Sequence, residues 1–544
     1  MVELAFQEQT KVLIDGLKGV CANYGLGNDG NEFKIITQSF LYKFLNDKFA
    51  FEVKQLDPNL AKAEKWEDEL AAMAADDLEM LQLQMGADTA RLKPAHFIAN
   101  LFNQQHQPEF AKLFDDTLMD IAITNNDVFA VKTDGGAKVR LFDRVSEYIA
   151  DTTKRDDFCR AIINKLVEFS FERIFTQKYD FYATIFEYLI KDYNSNSGGK
   201  YAEYYTPHAV ARIMASILVP KEQQGKVKNV SVYDPSAGSG TLLMNVAHAI
   251  GEKRCSIFTQ DISQKSSNLL RLNLILNNLV HSIPNVIQGN TMLHPSHKDG
   301  KDLRQFDYIV SNPPFKMDFS DFRDDLDSKV NEDRFFAGIP KEPAKAKDKM
   351  AIYQLFLQHI IHSLKPGGKA AVVVPTGFIT AQSGIDKKIR KHLVDHKMLA
   401  GVVSMPSNIF ATTGTNVSIL FIDASNKGKV VLIDASNLGE KVKEGKNQKT
   451  VLKDEEEERI IDVFNFCDEE EDFSVAVSYE DIAAKNYSLS AGQYFEVKVE
   501  YVDITPEQFE VKMKGFQDNL KSLFEESRKL EGEIEKQLAG VKHV

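Results

Sequence analysis

The chain is poor in cysteine: there are four in 544 residues, Cys21, Cys159, Cys255 and Cys467, all far apart. That spacing excludes a disulfide framework and a cysteine-rich metal centre, and it predicts reduced thiols. The twelve histidines contain no His-Glu-x-x-His pattern. His359 and His362 share a helix face, where burial or solvent contact is expected rather than zinc, so no metal site is assigned. No apolar run is long enough to span a bilayer. Met1-Val2-Glu3-Leu4 lacks the basic start and apolar core of a signal peptide. A cytoplasmic chain with no membrane partner is therefore expected. A basic surplus is missing too, the net charge being -13. A chain that grips nucleic acid alone usually has a positive balance, so any such contact must come from a local patch or a partner. Much of the acidity falls in Asp454–Glu458 and Asp468–Asp472, which read as solvated helix or loop surface.

What is present is an ordinary apolar fraction, 43%, spread over a length that needs two or three cores. Residues 1–170 read as an α-helical domain with no visible chemistry. Phe33, Ile36, Phe40 and Phe44 recur there at helical spacing. The breaker Asn194-Ser195-Asn196-Ser197-Gly198-Gly199 is a boundary or a flap beside the motif that follows it. Residues 171–480 are read as an α/β domain. Its expected strands are Val230–Tyr233, Ser256–Gln260, Asn285–Gln288, Phe306–Ser311, Ala370–Val374, Leu399–Ser404 and Val417–Ile422. Helices such as Ser266–Val280 and Ile352–Leu364 lie between them. That alternation predicts a mainly parallel sheet covered on both faces. Lys365-Pro366-Gly367-Gly368 is expected to end one helix and launch the next strand. Residues 481–544 form a helical tail. Thr505, Pro506 and Gln508 are its expected cap, first-turn residue and capping-box partner. Phe516, Leu520, Leu523, Leu530 and Ile534 then follow a 3–4 spacing, interrupted by Ser527. Such a seam packs on the chain's own body or docks on a partner.

Three pieces suggest a cofactor site. Asp234-Pro235-Ser236-Ala237-Gly238-Ser239-Gly240-Thr241 joins a strand to a helix, and Gly238 and Gly240 let backbone approach a ligand. The loop lacks the Lys-Ser/Thr ending of a phosphate cradle, which fits a cofactor without phosphates, S-adenosyl-L-methionine. Asp261 stands about twenty positions on, at the next strand end, where a carboxylate accepts hydrogen bonds from a ribose diol; a helix cap is the plainer alternative. Upstream, Glu203-Tyr204-Tyr205-Thr206-Pro207-His208 leads into an apolar helix. Capping would explain Thr206 and Pro207, while the paired tyrosines fit a wall of the methionine pocket.

The catalytic candidate is Asn312-Pro313-Pro314-Phe315. The exocyclic nitrogen of adenine is a poor nucleophile because its lone pair is delocalised into the ring. The Asn312 side-chain oxygen and the Pro313 backbone oxygen can each accept one of its hydrogens and pull it toward tetrahedral geometry. Pro313 and Pro314 stiffen the bend so that both oxygens converge. Phe315 offers a stacking face for a base swung out of the duplex. No acid, base or covalent nucleophile is needed before transfer, so rate should come from positioning.

With these motifs in this order, the chain resembles the modification (methyltransferase) subunits of type I restriction-modification systems. Leu364-Lys365-Pro366-Gly367-Gly368, Met405-Pro406-Ser407-Asn408-Ile409-Phe410 and Thr413-Gly414-Thr415 match as well. The resemblance implies a Rossmann-like S-adenosylmethionine-dependent methyltransferase domain between an α-helical amino-terminal domain and a helical carboxy-terminal tail. It implies N6-adenine methylation of double-stranded DNA. It also implies assembly of two modification subunits with one specificity subunit that reads the sequence, joined by a restriction subunit. Carried over, the cofactor would meet Glu203–His208, Ser239–Thr241 and Asp261; the target amine would meet Asn312 and Pro313, with Phe315 stacking. His208 and Asp261 depart from the Arg and Glu common in the family, and the role of Asn290 stays open. The charged stretch 316–349 is a loop ordering over DNA, a partner contact or disordered chain. Two other functions remain: methylation of a protein glutamine amide, whose nitrogen is equally delocalised, and a non-catalytic scaffold.

Overall fold

A computed structural model describes residues 2–27, 30–172, 175, 206–410, 416–444, 447–495 and 505–539. Glu203, Tyr204 and Tyr205, the Asn194–Gly199 breaker and Thr413–Thr415 lie outside these residues. The chain divides into two units, Met1–Tyr494 and Phe495–Val544.

The first unit is built on an eleven-stranded sheet. In chain order its strands are β1 (Val131–Thr133), β2 (Lys138–Val139), β3 (Val230–Asp234), β4 (Cys255–Asp261) and β5 (Val286–Gln288). A separate small hairpin of β6 (Lys298–Asp299) and β7 (Asp302–Leu303) follows. The sheet continues with β8 (Phe306–Ser311), β9 (Leu364–Pro375), β10 (Leu399–Ser404), β11 (Val417–Asp423) and β12 (Val430–Asp434). A second separate hairpin, β13 (Glu440–Glu444) with β14 (Asn447–Val451), precedes the last strand, β15 (Ser474–Val477). Across the sheet the order is β15-β12-β10-β11-β9-β8-β3-β4-β5-β1-β2.

Strands β9, β8, β3, β4 and β5 run parallel, and β10 runs parallel to β12. Between β9 and β10, β11 is antiparallel to both, which restores the common direction. The carboxyl ends of β3, β4, β8, β9, β10 and β12 therefore share one edge, where ligands of such sheets bind. The central strands are apolar on both faces because helices cover both: Ala370–Val374 and Ile419–Ile422 are fully buried.

All seven expected strands are present, in a mainly parallel sheet. Three features differ from expectation. First, Lys365–Gly368 does not launch β9 but lies inside it. The preceding helix ends at His362, Leu364 already pairs with Phe306, and the register then jumps so that Tyr308 meets Lys369. The four residues form a bulge, with Gly367 at φ +78. Second, β1 arises in the stretch read as helical and adds to the sheet beside β5. Third, the acidic run Asp454–Glu458 is not simply solvated. It opens the helix Asp454–Phe466, where Glu457 is buried and accepts from Arg212 Nη1 at 2.8 Å, and Glu458 accepts from Arg212 Nη2. The amino-terminal region is helical as expected, with Phe33, Ile36, Phe40 and Phe44 buried on the helix Gly30–Leu56.

The second unit is carried by one helix, Pro506–Ala539. Its capping box is made as the sequence predicts: Gln508 N–H donates to Thr505 Oγ1 and Thr505 N–H to Gln508 Oε1. No described helix is long and apolar enough to cross a membrane.

Candidate active site

At the end of β3 the chain turns from Asp234 into the helix Thr241–Ile250. Gly238 and Gly240 adopt left-handed φ values of +54 and +86. A Cβ on Gly240 would stand 2.3 Å from Cδ1 of the buried Leu270, so with its left-handed φ any side chain there would have to displace Leu270 on the helix Gln264–Leu276. Asp261, ending β4, holds the loop: its Oδ2 accepts from Gly238 N–H at 2.9 Å and its Oδ1 from Ser263 N–H at 2.8 Å. Each oxygen has a further lone pair, and the residue is partly exposed, so it can still accept from a ligand. Asn273 Nδ2 donates to the Ser239 carbonyl at 2.6 Å, and the Ser239 and Thr241 hydroxyls lie 3.1 Å apart.

Asp234 is 2% exposed and its Oδ1 accepts from Ser236 N–H at 2.9 Å. Burial pushes its carboxyl up to about 7; donors from Ser236 and Ser311 pull the other way, and the Asp261 charge adds to the rise. Burial raises Asp261 as well. Residues 234–241 contain no Lys or Arg. Two desolvated carboxylates and a glycine turn without cations suit a positively charged, phosphate-free cofactor such as S-adenosylmethionine.

The catalytic candidate stands beside this loop because β8 pairs directly with β3. Ser311 Oγ at the end of β8 lies 2.7 Å from Ser236 Oγ in the glycine loop. Asn312 Nδ2 donates to Thr206 Oγ1 at 3.3 Å, and among the described residues no protein group donates to its Oδ1, which keeps its acceptor capacity. Thr206 thus reaches the site by a role other than capping. Pro207 occupies the cap position of the helix His208–Leu218, with no side-chain cap bond, and His208, half-buried, is its first residue. Arg212, one turn on, anchors that helix to Glu457 and Glu458. Pro313 is buried and Pro314 exposed. The half-buried Phe315 ring meets Tyr353 edge-on, with centroids 6.3 Å apart. Tyr353 is itself fixed by donating to both oxygens of Asp386, at 2.8 and 2.9 Å. The sequence reading missed Tyr353; its only signal was an aromatic opening the helix expected over 352–364.

Asn290 is used locally: its Oδ1 accepts from Met292 N–H at 3.0 Å and Leu293 N–H at 3.2 Å. The charged stretch after the catalytic turn is anchored by Arg334, which is buried. Arg334 donates to the carbonyls of Met292 at 2.7 Å and Thr291 at 2.9 Å, and through Nε to His359 Nδ1 at 3.0 Å. His359 Nε2 lies 3.1 Å from the Tyr233 hydroxyl. Burial, with the neighbouring Arg334 cation, holds His359 well below the usual imidazole range, so it is neutral here. Thr291 Oγ1 donates to the Pro235 carbonyl at 2.7 Å. One buried chain of hydrogen bonds thus joins the segment after Phe315 to the glycine loop.

The sequence profile described as N-6 DNA Methylase matches residues 177–502, a span that includes the Glu203–His208 segment, the glycine loop, Asp261 and the Asn312–Phe315 turn. The chain belongs to the N-6 DNA methylase family. Among relatives of this family member, it is 31% identical over 340 residues to a type I restriction enzyme methylase subunit, MpnII, of Mycoplasma pneumoniae. That match covers 60% of this chain and 59% of the relative's length. A second relative, the MjaIX methylase subunit of Methanocaldococcus jannaschii, is 28% identical over 414 residues, 73% of this chain and 69% of that one. The fold is also that of the type I restriction-modification methyltransferase subunit from Streptococcus thermophilus. The TM-score is 0.70 at 21% identity, covering 90% of this chain and all of that one. A modification subunit of a putative type I restriction enzyme from Vibrio vulnificus aligns with a TM-score of 0.53 at 17% identity, covering 88% of this chain and 93% of that one.

Proposed function

We propose that this chain methylates adenine N6 in DNA using S-adenosylmethionine, as the modification subunit of a type I restriction-modification complex. The observation that carries this reading is that Asn312 is hydrogen-bonded to Thr206 while its neighbour Ser311 is hydrogen-bonded to Ser236 of the glycine loop, which sets the catalytic candidate beside that loop. Bound at Asp234, Gly238–Thr241, Asp261 and the Glu203–His208 segment, the cofactor supplies a methyl carbon on a positively charged sulfur. Asn312 Oδ1 and the Pro313 carbonyl accept the two amino hydrogens of the target and turn its lone pair toward that carbon. Phe315, braced by Tyr353, stacks on the flipped base. Nothing here requires a proton to be removed before transfer, so the rate comes from positioning. The partners are those that the resemblance to type I modification subunits implies: a specificity subunit joined to two such chains, and a restriction subunit. The helix Pro506–Ala539 is a docking element for the specificity subunit. The work is cytoplasmic, where the DNA is.

The test is Asn312→Ala in the complex reconstituted with its specificity subunit. Methyl transfer to duplex DNA should fall on the order of 10²–10³-fold, the cost of removing one group that acts at the reacting centre. Cofactor affinity, measured by calorimetry, should stay within a few-fold. Unchanged turnover would remove Asn312 from the mechanism. Label from the cofactor appearing in protein rather than DNA would move the substrate to a glutamine amide.

A further inference from the structure

The hairpin β13–β14 belongs to no part of the site described so far. Between Ser436 and Lys453 the sequence holds five lysines against two glutamates, in a chain whose net charge is -13. The topology fixes where this local surplus lies. The hairpin follows β12, whose carboxyl end shares an edge with that of β8, the strand that delivers Asn312. Four strand steps separate β12 from β8, about 19 Å at the usual strand spacing.

The hairpin is held firmly at its base. Gly439 has φ +83, and a Cβ there would stand 2.6 Å from Thr450 Cγ2. Gly439 N–H donates to Glu456 Oε1 at 3.0 Å. Thr450 donates twice to the loop after β10, from Oγ1 to the Ser407 carbonyl at 2.6 Å and from N–H to the Asn408 carbonyl at 3.0 Å. Directly paired residues of antiparallel strands point to the same face. Lys441 pairs with Thr450 and Lys443 with Gln448, so both lysines share the face on which Thr450 grips the Met405–Phe410 loop. Because β10 lies on the β8 side of β12, the loop that Thr450 grips stands on the carboxyl edge between β12 and the strand that delivers the catalytic turn. Lys441 and Lys443 are exposed, and among the described residues neither is within ion-pair distance of a carboxylate.

Resting on the proposed function, we propose that Lys441 and Lys443 seat the phosphate backbone of the duplex that presents its base to Asn312. Along one strand of a duplex phosphates rise about 3.4 Å per nucleotide, so the span of about 19 Å between β12 and β8 corresponds to about five or six nucleotides of backbone flanking the flipped base. This gives an acidic chain the local basic contact that its composition otherwise withholds. A plainer role for the same lysines is to guard the open edges of an isolated hairpin against pairing with other chains. The two roles differ in what salt does to DNA binding.

The experiment measures binding of the full chain to a mixed-sequence duplex by fluorescence anisotropy between about 50 and 200 mM salt. Replacing both residues, Lys441→Gln with Lys443→Gln, should weaken binding equally for all sequences. It should also flatten the plot of log affinity against log salt by about 1.8, since each neutralised phosphate contributes about 0.9. A charge-matched control, Lys226→Gln with Lys228→Gln, alters exposed lysines that precede the amino end of β3, on the opposite edge, and should leave the slope unchanged. An unaltered slope in the hairpin variant, an equal loss in the control, or no duplex binding by the unaltered chain would overturn the proposal. Aggregation of the hairpin variant with an unaltered slope would assign the lysines to edge protection. The result is separable from the proposed reaction: loss of transfer in Asn312→Ala says nothing of the slope, and a flattened slope says nothing of the methyl acceptor.

Discussion

Two aspartates on neighbouring strands sit in opposite electrostatic situations. Asp234 ends β3 at the carboxyl edge, is buried among hydroxyl and amide donors, and has its pKa raised to about 7. Asp307 is the second residue of β8, near the amino edge. Burial raises it too, but Lys365 Nζ at 2.8 Å and donors from Ser231 outweigh that and hold it below the usual carboxylate range. The same residue type is thus completed at one edge and left without a cation at the other. A carboxylate that folding leaves uncompensated is one that a positively charged ligand can complete, and the chain carries the cost until that ligand arrives.

The comparison can be broken in four ways, taken from the largest expected effect to the smallest. The first is pH. The folded chain holds a proton on Asp234 that the unfolded chain releases near 3.8, so the folded state binds more protons between about 4 and about 7. This group's contribution to stability is therefore greatest at low pH, falls as pH rises through that window, and levels off above it. The total change is about 4 kcal/mol at 1.36 kcal/mol per pH unit. Denaturant melts of the cofactor-free chain across that range should show the fall, and Asp234→Asn should remove it; a flat profile in the parent chain would mean that Asp234 is ionised and already compensated.

Second, Gly240→Ala should cost about 3 kcal/mol, from the left-handed φ and the overlap with Leu270. The loss should show in thermal melts and as weakened cofactor binding. Third, Asp234→Asn should weaken S-adenosylmethionine binding by about 2 kcal/mol, roughly 30-fold, the worth of a charged hydrogen bond. Titration calorimetry reads this directly, and equal affinity would remove Asp234 from the cofactor site. Fourth, Lys365→Met should cost only about 0.5–1 kcal/mol, as a half-exposed ion pair does, and leave cofactor affinity unchanged. An effect on affinity there would show that the two edges are coupled.

Legibility along the chain followed how local each cause was. The glycine turn at Gly238 and Gly240, the stiff bend at Asn312–Phe315 and the cap at Thr505 each carry their reason within a few residues, and each was readable. β12 carries a local signal as well, the unbroken apolar run Val430–Ile433. In sequence, Lys365–Gly368 looks the same as a turn that ends a helix and launches a strand or as a bulge within the strand, because glycine with positive φ serves both, and only the pairing of β8 with β9 tells them apart. The burial of Glu457 needed Arg212, 245 residues away in sequence.

By itself the sequence determined the strand-helix alternation, the order of the motifs and the residue types at the bend, because backbone preference, periodicity and side-chain chemistry act over short distances. Only the tertiary structure decided that Thr206 turns its hydroxyl to Asn312 instead of capping its own helix. It alone decided that Asp261 clamps the glycine loop, that Arg334 ties the charged stretch to Thr291 and Met292, and that the hairpin carrying the β13 lysines is fastened to the loop after β10. These are contacts between segments far apart in the chain. Their energy depends on which strands become neighbours and on what burial leaves unpaired, and neither quantity exists until the sheet has formed.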